Sequence, residues 1–466
     1  MKVLANDFIP AARVAIMDEA QRIALRNATR TADQKRLSTM YAAGHAHGEA
    51  MRQQAAQAKR HALSRLPELL EQAEANLTRH GVHVLWAEDS AEANRLVLEI
   101  IDQHAVKSVV KSKSMVSEEI GLNDALESQD VEVVETDLGE YIVQLGGETP
   151  SHIVTPVIHK SKESIRDLFM EKLDMPPTND AHEMAHFVRP ILREKFLQAD
   201  MGVTGGNFII AETGTLCLVT NEGNGRMVTS LPRIHVAVVG IEKIVATLED
   251  YATLTQVLPR SSTGQNLAVY THMYNGPRQA DDPDGPEEMY VILVDNGRSG
   301  IYNSQYEQVL TCIRCGACMN VCPVYRLTGG HAYGWVYPGP VGSVITPLLV
   351  GLDNARPLPN ASSLCGACKQ ACPVDIDLPQ MLLELREDLY QQGETNTTWK
   401  WGLKLWAFGN QHPTIFAWGG RMAYLLTARW QPSSLPGPLA GWSKYRDLPH
   451  FAKKSFRQQW KENRGE

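Results

Sequence analysis

No cysteine occurs in the first 216 residues of this 466-residue chain, and seven of its eight fall between Cys312 and Cys372. A disulfide scaffold spreads its bridges through a small secreted domain, so this distribution excludes one and points to metal ligands in a reducing compartment. No stretch reaches eighteen consecutive apolar residues, and the opening MKVLANDFIPAARVAIMDEAQR lacks an uninterrupted apolar core and a small-residue cleavage site. Secretion and membrane spanning are therefore not expected, and a cytoplasmic location is. Acids are missing from Thr395 to Arg446; residues 395–466 carry eleven Lys and Arg against three acids, while the chain as a whole has a net charge of −8. The main body is thus strongly acidic, which excludes a nucleic-acid-binding protein. With 43% hydrophobic and 21% charged residues the composition is that of a folded globular chain, long enough for two or three domains.

Four compositions follow one another. Residues 1–75 have few Gly or Pro and apolar positions at helical spacing through Val14, Ile16, Met17, Ile23 and Leu25, which predicts an amino-terminal helical arm. In 76–300, short β-branched runs alternate with helical segments. VHVLWA, a helix near 91–104, SVVKS, a helix near 116–127 and VEVVET predict a parallel sheet covered by helices. NFIIAE, TLCLVT, HVAVVG, LAVYTHMY and MYVILVD are expected to extend that sheet, some as hairpins, with GPRQADDPDGPEE as a surface loop. Residues 301–394 hold the cysteine motifs and a helix from about Leu378 to Tyr390, and 395–466 is a basic region with seven of the nine tryptophans.

Cys312, Cys315, Cys318, Cys322 and Pro323 have the C-x2-C-x2-C-x3-C-P spacing in which three thiolates hold one iron–sulfur cluster and the fourth crosses to another. A structural zinc site needs only two cysteine pairs and leaves the final Cys-Pro unexplained. The second run, Cys365, Cys368, Cys372 and Pro373, repeats the last three thiols, and Ser362 stands where its first would be. The crossing rule assigns Cys312, Cys315, Cys318 and Cys372 to cluster one, a [4Fe-4S] cluster, and Cys322, Cys365 and Cys368 to cluster two. Cluster two is one thiolate short: it is [3Fe-4S], or [4Fe-4S] with a non-cysteine or solvent ligand, for which Ser362 and Ser363 are candidates. The 43-position separation of Cys322 and Cys365 favours a helical ferredoxin with motifs at helix ends over a compact two-hairpin one. Gly316 and Gly366 let backbone amides approach the sulfurs, and Arg314 adds positive charge.

Other signals carry less. His182-Glu183-Met184-Ala185-His186 matches a zincin pattern, but Asn179 or Asp180 as cap and Pro190 fit a plain amphipathic helix. Lys111, Lys113 and Ser114 follow a strand and precede a helix, a candidate site for a carboxylate or phosphate. GVTGGN at 202–207 is a candidate second cradle, Glu212 a candidate ligand-binding residue, and Cys217 a buried inert thiol. The Trp-rich tail reads as a docking face for another subunit or a cover for the clusters, with contact to an anionic membrane surface as the lesser alternative.

KSKSMVSEEIGLNDAL, GVTGGNFIIAETGTLCLVTNEGNGRMVTSLPRIHVAVVGIEKI, SSLCGACKQACPVDI and the Trp-rich tail together resemble the lactate utilization protein B family over nearly the whole chain. The resemblance implies a multidomain α/β plus α architecture. Its first part is a lactate-utilization domain related to the glucosamine-phosphate isomerase and CoA-transferase fold, followed by a helical ferredoxin with two iron–sulfur clusters and a family-specific C-terminal region. It further implies cluster ligands on the seven cysteines and an electron-transfer role, beside two other subunits, one cysteine-rich, in oxidising L-lactate to pyruvate. No convincing catalytic constellation accompanies these motifs, so a non-catalytic or co-catalytic subunit is expected. The alternative is a redox-switched binding or regulatory module that senses a small anion.

Overall fold

The computed structural model describes residues 2–393, 397–427, 440–443, 446 and 451–464. Six strands form one sheet: β1 (His83–Ala87), β2 (Ser108–Lys111), β3 (Glu132–Glu135), β4 (Met201–Thr204), β7 (Ile234–Gly240) and β10 (Glu288–Val294). Their order is β1-β10-β7-β4-β2-β3 and every pairing is parallel. Both faces are therefore covered, as parallel sheets require. The period-two alternation divides the strand residues accordingly. Val109, Val133, Val236 and Ile292 face one core, whereas Val110 and Val134 join a second, and Ala237, Val239 and Val291 a third.

The later runs do not all extend this sheet. β5 (Phe208–Ile210), β6 (Thr215–Thr220), β8 (Ile244–Val245) and β9 (Tyr270–Tyr274) make a separate four-stranded sheet in the order β8-β5-β6-β9. β5 and β6 are a tight antiparallel hairpin that cannot continue a parallel ladder. Glycine-containing MGVT, read as part of a cradle, is a strand, and it is central. The helix predicted near 116–127 is two, Met115–Glu119 and Leu122–Glu127, broken at Gly121. The helix Ser90–His104 matches its prediction, with the Asp89 carboxylate accepting from the Glu92 N–H at 2.8 Å as its cap.

The boundaries drawn at 75 and 300 do not separate independent bodies, because residues up to Asp388 form one unit and Leu389 onwards a second. Helices Phe8–Met17, Glu19–Met40 and His45–Ser64 are built into the first unit. Phe8 meets the Tyr333 ring edge-on at 5.2 Å, and the buried Arg52 donates from Nη2 to the Cys372 carbonyl at 2.9 Å. One core runs from the sheet face through these helices to Cys315, Cys322, Cys368 and Cys372.

In the second unit, helices Thr397–Gln411 and Pro413–Thr427 expose Trp401, Trp406, Phe416 and Trp418. The side chains of Trp399 and Trp442, and the whole of Trp430, lie outside the described residues. Among the described residues no helix is long and apolar enough to cross a membrane.

Candidate metal centres and the adjoining crevice

The two cysteine runs share a backbone. Each residue of the first has a counterpart fifty positions on, and both runs use the same two left-handed residues: Arg314 and Gly316 (φ +58° and +73°), then Leu364 and Gly366 (φ +53° and +82°). A short helix follows each, Ala317–Val321 and Ala367–Ala371, ending at Cys322 and Cys372. The motifs thus stand at helix ends, and no strand occurs among the described residues after Val294. Gly316 cannot be replaced freely: besides its positive φ, an added Cβ would come within 3.0 Å of His152 Cε1.

Tertiary folding brings thiols of the two runs together. Cys312, Cys315, Cys318 and Cys372 line one apolar cavity of about 20 Å³, together with Ile153, Val341 and Val374. Cys322, Cys365 and Cys368 interact among themselves, and Cys368 also with Cys318. Around one zinc ion sulfurs sit about 3.8 Å apart, given bonds of about 2.3 Å in a tetrahedron. Among the described residues no three thiols have sulfurs all within 4.8 Å of one another. Amides approach the sulfurs in both runs. The Tyr325 N–H donates to Cys322 Sγ at 3.5 Å and the Ile376 N–H to Cys372 Sγ at 3.4 Å. Burial pushes the Cys368 thiol up to about 12 and the Cys372 thiol up to about 11, whereas the Ala367 amide and the Ser363 hydroxyl draw the exposed Cys365 down.

The Arg314 N–H donates to Cys312 Sγ at 3.4 Å, and the equivalent Leu364 N–H donates to Ser362 Oγ at 3.1 Å. Ser362 therefore occupies the place of Cys312 in backbone register and in this bond.

Beside the first set lies a buried ion network. Fully buried Arg298 clamps both Glu119 oxygens at 2.8 and 2.9 Å and gives Nε to Glu242 at 2.6 Å. Tyr337 Oη donates to Glu119 at 2.5 Å. Gly240, ending β7, leaves the room: a Cβ there would meet Glu242 Oε2 at 2.2 Å. Arg314 lies 4.6 Å above the Tyr337 ring and reaches Glu242 with Nη2 at 3.4 Å, and Lys59 donates to the Glu242 carbonyl at 2.7 Å. Three cations (Lys243, Arg298, Arg314) thus face two carboxylates, and Lys59 is held on the backbone carbonyls of Glu242 and Ile244. Burial lowers Lys59 to about 7, with Lys243 adding to the shift, and lowers Lys243 to about 8. Burial opposes ionisation of Glu242, yet Arg298, Lys243 and Arg314 hold its carboxyl far below the usual range. Arg314 Nη1 is buried with no hydrogen-bond partner, at a general cost of about 1–3 kcal/mol.

A crevice of about 520 Å³ opens beyond the carboxyl ends of β2 and β4. The chain leaves β2 towards β3 on one side and β4 towards β7 on the other, so this is the switch point at which open α/β sheets bind ligands. The Lys113–Ser114 loop and Gly205–Asn207 line it together, with Lys243, Arg314 and Tyr337. An added Cβ on Gly205 would come within 2.6 Å of Ser114 Oγ, so the two loops touch.

Two of the four predicted anion-site residues, Lys113 and Ser114, are here. Lys111 is not. Its Nζ donates to Glu135 at 2.6 Å and lies 3.4 Å from Glu118, outside the crevice lining. Glu212 sits in the β5–β6 turn and accepts from the Leu248 N–H at 3.0 Å. His182 and His186 are exposed on the helix Ala181–Gln198, capped by Asp180 and continuous through Pro190, and no metal-holding group forms there among the described residues. Cys217 is buried, and burial pushes its thiol up to about 12. Sequence reasoning missed Lys243, which no motif marks, and the place of Arg314 in the crevice.

Comparison with known families supplies the class. A model described as LUD domain matches residues 70–294 and one described as 4Fe-4S dicluster domain matches 308–376. By class this is an iron–sulfur protein that joins an α/β domain to a helical two-cluster domain. A third model, Lactate utilisation protein B, C-terminal, matches 386–465. Curated relatives named Lactate utilization protein B span the chain: 42% identity in Bacillus velezensis over 99% of this chain and 98% of the relative, and 43% in Macrococcus caseolyticus over 100% and 98%. The chain belongs to the lactate utilization protein B family. A solved chain described as a duf162 family protein from Deinococcus radiodurans covers 49% of this chain and 98% of its own at 16% identity, with a TM-score of 0.28, too low to bear on the fold.

Proposed function

We propose that the chain is the iron–sulfur electron-transfer subunit of a cytoplasmic system that oxidises L-lactate to pyruvate, acting beside other subunits, one of them cysteine-rich. The observation that carries this reading is the division of seven thiols into a set of four that lines one apolar cavity and a set of three that includes the exposed Cys365. Cys312, Cys315, Cys318 and Cys372 would hold a [4Fe-4S] cluster, and Cys322, Cys365 and Cys368 the second cluster. Bound clusters supply one-electron transfer. The chain's own residues do the rest. Backbone amides donate to the sulfurs, the apolar wall of Ile153, Val341 and Val374 excludes water from the first set, and the exposed Cys365 brings the second set to the surface. At the second set we assign Ser362 to the fourth position, supported by its sharing of the Cys312 backbone and amide bond. The exposed tryptophans of the second unit suit docking to a partner subunit.

Iron and sulfide quantification with low-temperature EPR on anaerobically purified protein tests the cofactor. About eight irons per chain are expected for two [4Fe-4S] clusters and about seven if the second is [3Fe-4S]; absence of iron and sulfide after reconstitution would end the reading. Replacing Cys315 or Cys368 by Ala is expected to abolish lactate oxidation by the assembled system. The rival reading, a redox-switched anion sensor, draws on the crevice and would gain if those variants left lactate oxidation unchanged.

A further inference from the structure

Cluster ligation leaves the crevice beside the first thiol set without a purpose. Its volume of about 520 Å³ lies within the roughly 300–1,000 Å³ of organic ligand sites, and it occupies the switch point of the sheet. Its three cations are not equivalent. Lys113 is committed, donating to Asp137 at 3.2 Å and to the Val154 carbonyl at 2.9 Å. Lys243 has its nearest carboxylate oxygen at 3.8 Å, beyond hydrogen bonding. Arg314 spends Nη2 on Glu242, and Nη1 is buried without an acceptor although the side chain is only 8% exposed. The Tyr337 ring beneath the guanidinium fixes its plane. Two cations with unused donors, both at the wall shared with the cysteine loop, form a receptor for a planar oxyanion. Asp137 and Glu222 also line the crevice and disfavour a second acidic group on the same ligand.

We propose that this crevice binds an organic oxyanion, a carboxylate or a phosphate ester, on Lys243 and Arg314, and that its occupancy is linked to the reduction state of the adjoining cluster. The linkage rests on the reading that Cys312, Cys315, Cys318 and Cys372 hold that cluster. Arg314 touches both sides, since its backbone N–H donates to Cys312 Sγ while the residue also lines the crevice. An electron added to the cluster brings negative charge next to the bound anion, so reduction weakens binding. By reciprocity the bound anion lowers the midpoint potential by the corresponding factor.

Calorimetric titration of the cluster-loaded full chain, oxidised and dithionite-reduced, with L-lactate, pyruvate, flavin mononucleotide and inorganic phosphate tests this. Small acids and a phosphate-bearing redox carrier are thereby distinguished, and inorganic phosphate reports the bare head group. At least one organic probe is expected to bind the oxidised protein at least tenfold tighter than the reduced one, and to shift the first cluster's EPR midpoint downward. Lys243→Gln is expected to weaken binding at least tenfold. Ala268→Trp, a change at a partly exposed position lining the crevice, is expected to block it with iron content unchanged. The proposal is overturned if clusters are present and none of the organic probes binds, if both variants bind as the parent does, or if affinity ignores the redox state. Missing iron and sulfide would instead refute the cluster reading itself.

Discussion

The two cysteine runs have one backbone and two environments. The first set, with three thiols from one run and Cys372 from the other, lines an apolar cavity and is bordered by the cations Lys243 and Arg314. The second set has three thiols, a serine in the fourth place, and Cys365 exposed to solvent. The same local sequence therefore produces an insulated centre and an open one. Burial and net charge, which tune cluster potentials, are supplied by other parts of the fold.

The largest break in this contrast should come from the ion network that only the first set has. Arg298→Met leaves Glu119 and Glu242 buried without their main partner and is expected to cost about 3–5 kcal/mol, read as a lowered thermal midpoint or loss of soluble protein. A change within measurement error would mean that the network does not hold this side of the fold.

Exposure gives the next effect. Under ferricyanide with a chelator, the second cluster should be lost first, leaving about half of the iron and the first cluster's EPR signal; simultaneous loss of both would contradict the difference in burial. Ser362→Cys has the smallest expected effect: it restores the missing thiol, and a seven-iron preparation should gain about one iron and lose its oxidised-state [3Fe-4S] signal. If the signal persists, residue 362 does not face the open iron.

Much of the fold was legible because its causes are local. Each run expected as a strand is one, since alternation and turn residues act within a few positions. MGVT escaped notice because its two non-β-branched residues hid a central strand, in which Gly202 lies so close to Val228 that an added Cβ would be 1.9 Å from its carbonyl oxygen. The later strands were assigned to one sheet because periodicity says nothing about which ladder a strand joins. In the candidate site, Lys111 and Lys113 looked equivalent in KSKS. Lys111, the last residue of β2, is held by Glu135, while Lys113, past the strand end and free of its alternation, lines the crevice.

Spacing alone determined the seven candidate ligands and the missing eighth, because a cluster's geometry restricts how few residues can separate its sulfurs. Composition likewise set the acidic body and the basic, Trp-rich end. Tertiary structure alone decided which thiols share a cavity, that Arg314 and Lys243 meet 71 residues apart in sequence, and that an anion crevice opens beside the first set. Those arrangements depend on the carboxyl ends of β2, β4 and β7 converging in one sheet, and strand order is settled by packing over the whole chain, which no local pattern encodes.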